Sequence, residues 1–268
     1  MKIIRQIEVF APDYLGKMDV LIAGGKILAV EEQLEGGYEG VEVEELSGEG
    51  KVLTPGFIDC HFHILGGGGE GGYQNRTPEV TLSQLTTAGV TTVVGCLGTD
   101  GEGRDMTALI SKAKGLEAEG ISTYVYEGSY RLPVKTVTDS IIKDFLTIDK
   151  IIGIGEIAVS DHRSSQPSFE EFARAAADAR VGGMLSGKAG IINVHLGGGK
   201  RKLELLTRIV EETEIPITQF LLLMRIVHQN YLKLAWHLLN VAARLTSPLA
   251  KILIFGRRQM GKCASVKH

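Results

Sequence analysis

The chain has 268 residues, 44% hydrophobic and 23% charged, enough to bury the core of one large domain or of one domain with a small partner. Lys plus Arg (29) nearly balances Asp plus Glu (32), so a net charge of -3 provides no bulk basic field for nucleic acid or an anionic membrane. Cys60, Cys96 and Cys263 lie far apart with no CxxC spacing, which disfavours a disulfide framework or a structural zinc knuckle and suits a reducing, cytoplasmic setting.

The opening MKIIRQIEVFAPDYLG is charged within five residues and breaks at Pro12, so no signal peptide is expected, and no apolar run approaches a membrane span. Residues 1–55 read as short strands, Lys2 to Val9, Asp19 to Ala23, Lys26 to Val30 and Val41 to Glu45, with Gly24-Gly25 and Gly36-Gly37 as turn signals. A small β-sandwich module is expected there. From residue 56 to 221 the apolar runs GFIDC, TTVVG, STYVY, IIGIG, IINVH and IPITQF alternate with helical stretches at 78–88, 105–118, 168–180 and 202–213. Six βα units in succession predict an α/β fold, a parallel (β/α)8 barrel that is incomplete, since the chain left after Phe220 is short for two more units. Residues 222–268 differ in kind: FLLLMRIVHQNYLKLAWHLLNVAARL is nearly uncharged and KILIFGRRQMGKCASVKH is basic with no acidic residue.

The residues that carry chemistry stand at the ends of the apolar runs, where a parallel barrel places its site. His61 and His63 are two apart on an extended chain, so their imidazoles face one side and suit one metal ion. His195 ends IINVH and again opens into glycines, repeating that placement. Glu156 follows IIGIG; a carboxylate inside a barrel mouth is expensive to bury unless it bridges cations or meets a partner such as Arg163. Arg163 in SDHRSS offers a planar fork for a carboxylate, and Glu70 in GGGGEGG is the opposite pole, suited to an ammonium. Tyr130 in EGSYRLP stands where a phenol can donate to a developing oxyanion.

LTPGFIDCHFH after a small β module resembles the amidohydrolase superfamily of metal-dependent hydrolases. HFHILGGGGEGG, GTDG at Thr99, EGSYRLPVKT, SDHRSS and VGGMLSGKAGIINVHLG together resemble the isoaspartyl (β-aspartyl) dipeptidases. That resemblance implies a dipeptidase of β-aspartyl dipeptides that works with two zinc ions, assembled as a homo-oligomer. It implies His61 and His63 on the first zinc, His195 on the second, and Glu156 bridging them in place of a carboxylated lysine. It also implies that Glu70 holds the substrate ammonium, Gly68 and Thr99 line the pocket, Arg163 holds a carboxylate and Tyr130 is catalytic. A cyclic amidase such as a dihydroorotase or dihydropyrimidinase is the rival activity within the superfamily.

The resemblance stops after about Phe220. The family continues PTH, its histidine being the second ligand of the second zinc, where this chain has Met224, a poor donor in an N/O site. The barrel-strand aspartate that the family uses as general base has no counterpart. Read one nucleotide out of frame, the Leu223 to Met224 junction permits His, and the residues beyond permit an amphipathic helix followed by GGTIDL, so residues 222–268 are read as a frameshifted tail. On that reading His228 and His237 have no role, GRRQMGKC is no phosphate-binding loop because Cys263 replaces the magnesium-binding hydroxyl, and an inactive remnant is the alternative to an enzyme.

Overall fold

The structure, a computed structural model, describes residues 1–224 apart from Gly37 and Glu39, and for Met224 the backbone only. The tail at 225–268, with His228, His237 and Cys263, lies outside the described residues. The chain divides into two compact units, Met1–Phe57 and a second beginning at Ile58.

The first unit contains β1 (Lys2–Phe10), β2 (Tyr14–Ala23), β3 (Lys26–Glu31), β4 (Glu44–Ser47) and β5 (Val52–Leu53). Strands β1, β2 and β3 are antiparallel neighbours, and Gly24 and Gly25, both at positive φ, make the β2–β3 turn. In place of the expected sandwich, the described residues form one five-stranded sheet in the order β3-β2-β1-β4. The reason is register: β4 pairs with Lys2 to Arg5 and β5 with Glu8 and Val9, so the two segments lie end to end on the same edge of β1 and build no second layer. Ile7, Val9 and Val20 form its core, with Ile4, Met18, Ile22, Val30 and Leu53 packed around them.

The second unit is a curled sheet in the order β11-β10-β9-β8-β7-β6, made of β6 (Phe57–Phe62), β7 (Val90–Gly95), β8 (Ser122–Glu127), β9 (Ile151–Val159), β10 (Ile191–Leu196) and β11 (Phe220–Met224). Neighbours run parallel from β7 onward, and the intervening helices are α1 (Leu82–Thr87), α2 (Met106–Ala118), α3 (Ile141–Thr147), α4 (Phe169–Ser186) and α5 (Glu204–Glu212). The fold is the partial parallel barrel that the alternation predicts. Its core is built from strand residues such as Val93, Val125, Ile154, Ile157, Ile192 and Val194 against helix residues such as Leu109, Phe172, Ala176 and Leu206.

Local chemistry sets the helix limits. Ser168 and Glu171 form a reciprocal capping box at the start of α4, which ends at Gly187 in the left-handed region. Phe172, Ala175, Ala176, Ala179, Gly182 and Gly183 recur at helical spacing and bury one face. The expected helix at 78–88 shortens to α1, because Thr81 and Gln84 make another capping box and fix its start after Pro78. Helix α3, capped by Ser140, has no counterpart in the periodicity. The run IPITQF is not a strand from its beginning: a 3-10 turn at Ile217–Gln219 follows Pro216, Gln219 N–H donates back to the Pro216 carbonyl at 2.9 Å, and the strand starts at Phe220. No helix among the described residues is long and apolar enough to cross a membrane.

Candidate active site

His61, His63, Cys96 and Glu156 each offer one ligand atom, and the four atoms lie within 4.8 Å of one another. They come from the ends of β6 and β7 and from a bulge inside β9. The His61 and His63 rings meet edge to face with centroids 5.3 Å apart, as the alternation of β6 requires. Gly98, at φ +74°, lies under the His63 ring, where a Cβ would stand 2.5 Å from Cε1. Burial holds the His63 imidazole below its ordinary value, and the neutral ring is the ligating form. Cys96 is 1% exposed, with Sγ 3.6 Å from His61 Nε2 and 3.7 Å from His63 Nδ1. Burial pushes its thiol well up.

Glu156 is also 1% exposed and owes its inward position to a bulge: Asn193 of β10 pairs with Gly155 and Val194 with Ile157, so Glu156 is the extra residue between them. Gly155, at φ +118°, has the Asn193 carbonyl oxygen where a Cβ would be, so no larger residue fits. The carboxylate divides its oxygens. Oε1 accepts from His195 Nδ1 at 2.6 Å. Oε2 faces His61 Nε2 at 3.2 Å and His63 Nε2 at 3.8 Å but meets no hydrogen-bond donor among the described residues. Burial raises the Glu156 carboxyl, the neighbouring His195 and His61 imidazoles outweigh it, and the net value falls to about 2.

The His195 side is saturated. With Nδ1–H donating to Glu156, Nε2 accepts from Arg163 Nη2 at 3.0 Å, and the Tyr130 hydroxyl lies 3.0 Å from Nδ1. Arg163 does not meet Glu156. Its Nε and Nη2 donate to Asp161 at 2.8 Å each, and its Nη1 donates to both Glu70 oxygens at 2.8 and 2.9 Å. The Arg163 fork holds the Asp161 carboxyl well below the usual carboxylate range. Burial raises Glu70, and the Thr99 and Arg163 contacts outweigh it. Burial and the Glu156 charge push the Tyr130 phenol up, so it stays protonated. Thr99 Oγ1 donates to Glu70 Oε1 at 2.5 Å. Gly68, expected to line the pocket, sits at φ +74° with the Asn75 carbonyl against its Cβ position and folds the loop that delivers Glu70.

The loop after β9 is braced. Arg163 N–H donates to Asp161 Oδ1 at 2.8 Å, Gln166 Nε2 to the Asp161 carbonyl at 2.9 Å, and Leu132 N–H to Ser165 Oγ at 3.0 Å. Met224 ends β11 in register with Leu196, one residue beyond His195.

Three residues at this site escape the sequence reading. Cys96 reads as one apolar residue in VVGCLG, and Asp161 as a loop acid. Asn193 carries a usable signal, since it stands two residues before His195 and so shares its face of β10. Its Nδ2 lies 2.9 Å from His61 Nδ1, and its Oδ1 is buried without a partner among the described residues. A half-turn of that amide sets Oδ1 on Nδ1–H and leaves the Nε2 lone pair facing Sγ and Glu156.

No protein-family model matches the chain. Among solved structures, β-aspartyl dipeptidase from Fervidobacterium islandicum AW-1, in complex with the β-Asp-Leu dipeptide, is 49% identical with a TM-score of 0.85, over 90% of this chain and 63% of that one. A second structure of that enzyme gives 50% identity and a TM-score of 0.86, over 89% of this chain and 65% of that one. Over the residues they share, the chain resembles these β-aspartyl dipeptidases, which are amidohydrolases. Among curated amidohydrolases, the imidazolonepropionase of Chromobacterium violaceum is 32% identical over 117 residues, 42% of this chain and 28% of that protein. The chain therefore spans less than a third of that relative and less than two thirds of the dipeptidase structures. The L-hydantoinase of Arthrobacter aurescens, 15% identical with a TM-score of 0.60, shares the fold.

Proposed function

We propose that the chain is built to bind zinc and to hydrolyse β-aspartyl dipeptides. The observation that carries this reading is the Glu156 carboxylate, which turns one oxygen to His195 and leaves the other, buried and without a donor, facing His61 and His63. A buried anion in that state fits a cation, and imidazole with carboxylate suits zinc. His61, His63 and Glu156 would hold one ion, and His195, on giving up its Nδ1 proton, would offer that nitrogen to a second. Zinc in this setting supplies Lewis-acid polarisation of a carbonyl and a lowered water pKa.

The remaining residues bind and orient. A β-aspartyl unit carries an α-ammonium and an α-carboxylate, and the Glu70–Arg163 ion pair offers one pole for each. Opening that pair around the zwitterion places the ammonium on Glu70, where Thr99 fixes the carboxylate, and the substrate carboxylate on the Arg163 fork, which Asp161 holds planar and in place. The Tyr130 hydroxyl, protonated and beside His195, donates to the oxygen that gains charge as the scissile carbonyl becomes tetrahedral. The 49–50% identity to β-aspartyl dipeptidases, one of them with β-Asp-Leu, supports this substrate class over a cyclic amide.

The test is release of free leucine from β-Asp-Leu by the zinc-loaded full chain, beside dihydrouracil and hydantoin as competitors. Release of leucine with both rings untouched is the expected result. Ring opening in its place would establish a cyclic amidase, and bound zinc with no turnover of any of them would establish an inactive remnant.

A further inference from the structure

We propose that Cys96 is a ligand of the metal held by His61 and His63, which makes that half of the site thiophilic while the His195 half stays purely N/O. The inference rests on the reading that these histidines and Glu156 hold a metal, and it adds a donor that the HxH pattern does not contain.

Three observations carry it. The first is position: Cys96 follows β7 directly, β7 pairs with β6, and the thiol is thereby delivered to the two histidines. The second is spacing. Zinc–sulfur and zinc–nitrogen bonds at a tetrahedral angle place the two donors about 3.5 Å apart. Cys96 Sγ lies 3.6 Å from His61 Nε2 and 3.7 Å from His63 Nδ1, and Glu156 Oε2 completes the set at 3.2 Å from His61 Nε2. The third is the absence of a better use for either atom. Sγ has the Phe62 carbonyl at 3.6 Å, a weak contact for a weak donor, and Glu156 Oε2 is a buried anionic oxygen aimed into the cluster with no donor among the described residues. Cys96 packs with Val94 and Tyr126 and in addition sets its sulfur against the imidazole nitrogens of His61 and His63.

Ligation converts the thiol to thiolate and delivers its proton to solvent. A donor set of two imidazoles, one carboxylate and one thiolate selects zinc, cobalt or cadmium over magnesium, calcium or manganese.

Cobalt(II) titration of the full chain tests this. A thiolate-to-cobalt charge-transfer band in the near ultraviolet is expected in the unmodified chain and in Cys60→Ser. In Cys96→Ser it should vanish while the weak visible bands of N/O-bound cobalt persist with about tenfold weaker binding or more. Visible bands without charge transfer in the unmodified chain would overturn the thiolate and leave the histidine site standing; no cobalt uptake at all would overturn both. Should Cys96→Ser fail to fold, as judged by circular dichroism, X-ray absorption decides on the zinc-loaded Cys60→Ser, Cys263→Ser double variant. A sulfur neighbour at about 2.3 Å supports the proposal, and a shell of nitrogen and oxygen alone overturns it.

Discussion

Glu127 and Glu156 stand on neighbouring strands, β8 and β9, and both are buried. Burial raises both carboxyls, yet Glu156 ends at about 2 and Glu127 at about 10. The difference lies in what each one meets. Glu156 faces His195 and His61, which reward the charged form. Glu127 faces the Asp144 carboxylate, which already takes hydrogen bonds from Val137 N–H at 2.6 Å and Thr138 N–H at 3.3 Å and so keeps the charge for itself. Two equally dry carboxyls become a fixed anion and a neutral acid through their neighbours, and only the anion is suited to a cation.

That contrast breaks most visibly at Glu156 itself. Glu156→Gln keeps the shape and removes the charge, so metal retained after dialysis should drop sharply and hydrolysis of β-Asp-Leu should fall to background; a variant that still retains its metal would show that the anion is not what holds it. Tyr130→Phe leaves the anion alone and deletes one donor, so kcat should fall about 10²–10³-fold with KM little changed, read from steady-state kinetics. Arg163→Lys replaces a fork bonded to Asp161 and Glu70 with a point charge; a rise in KM of roughly tenfold, with a smaller change in kcat, would locate its contribution in binding.

The smallest effect belongs to the neutral acid. Because Glu127 titrates above its ordinary 4.5, the folded chain keeps a proton that the unfolded chain releases, so stability declines as pH climbs from about 4.5 towards 10. Glu127→Gln removes that slope. Its melting temperature should match the parent at pH 4 and exceed it at pH 8; equal curves at both values would show that Glu127 is ionised in the folded chain.

The HxH pair, the His195 run and the apolar run IIGIG before Glu156 were legible because a buried parallel strand writes a nearly continuous apolar run beside the residues that carry the chemistry. The bulge at Glu156 was not, since it depends on how β9 registers against β10, which no single run records. Cys96 was hidden by its own apolarity, and only the pairing of β7 with β6 reveals it as a neighbour of His61. Asp161 looked like one more loop charge until Arg163 folded back on it across a two-residue turn. Helix α3 left no signature because its burial rests on Asp144 and Phe145, adjacent residues that create no period.

Surface loops are ordinarily where a protein family gains and loses residues. The loop after β9 is closed to such variation. Its main chain is tied back at Asp161, its side chains stitch Gln166 and Ser165 to fixed carbonyl and amide groups, and Ser168 locks its far end into the first turn of α4. One inserted residue between 160 and 168 would carry Arg163 off both Asp161 and Glu70. A transposon-based insertion scan should therefore find this stretch as intolerant as a core strand, a segment whose length matters as much as its composition.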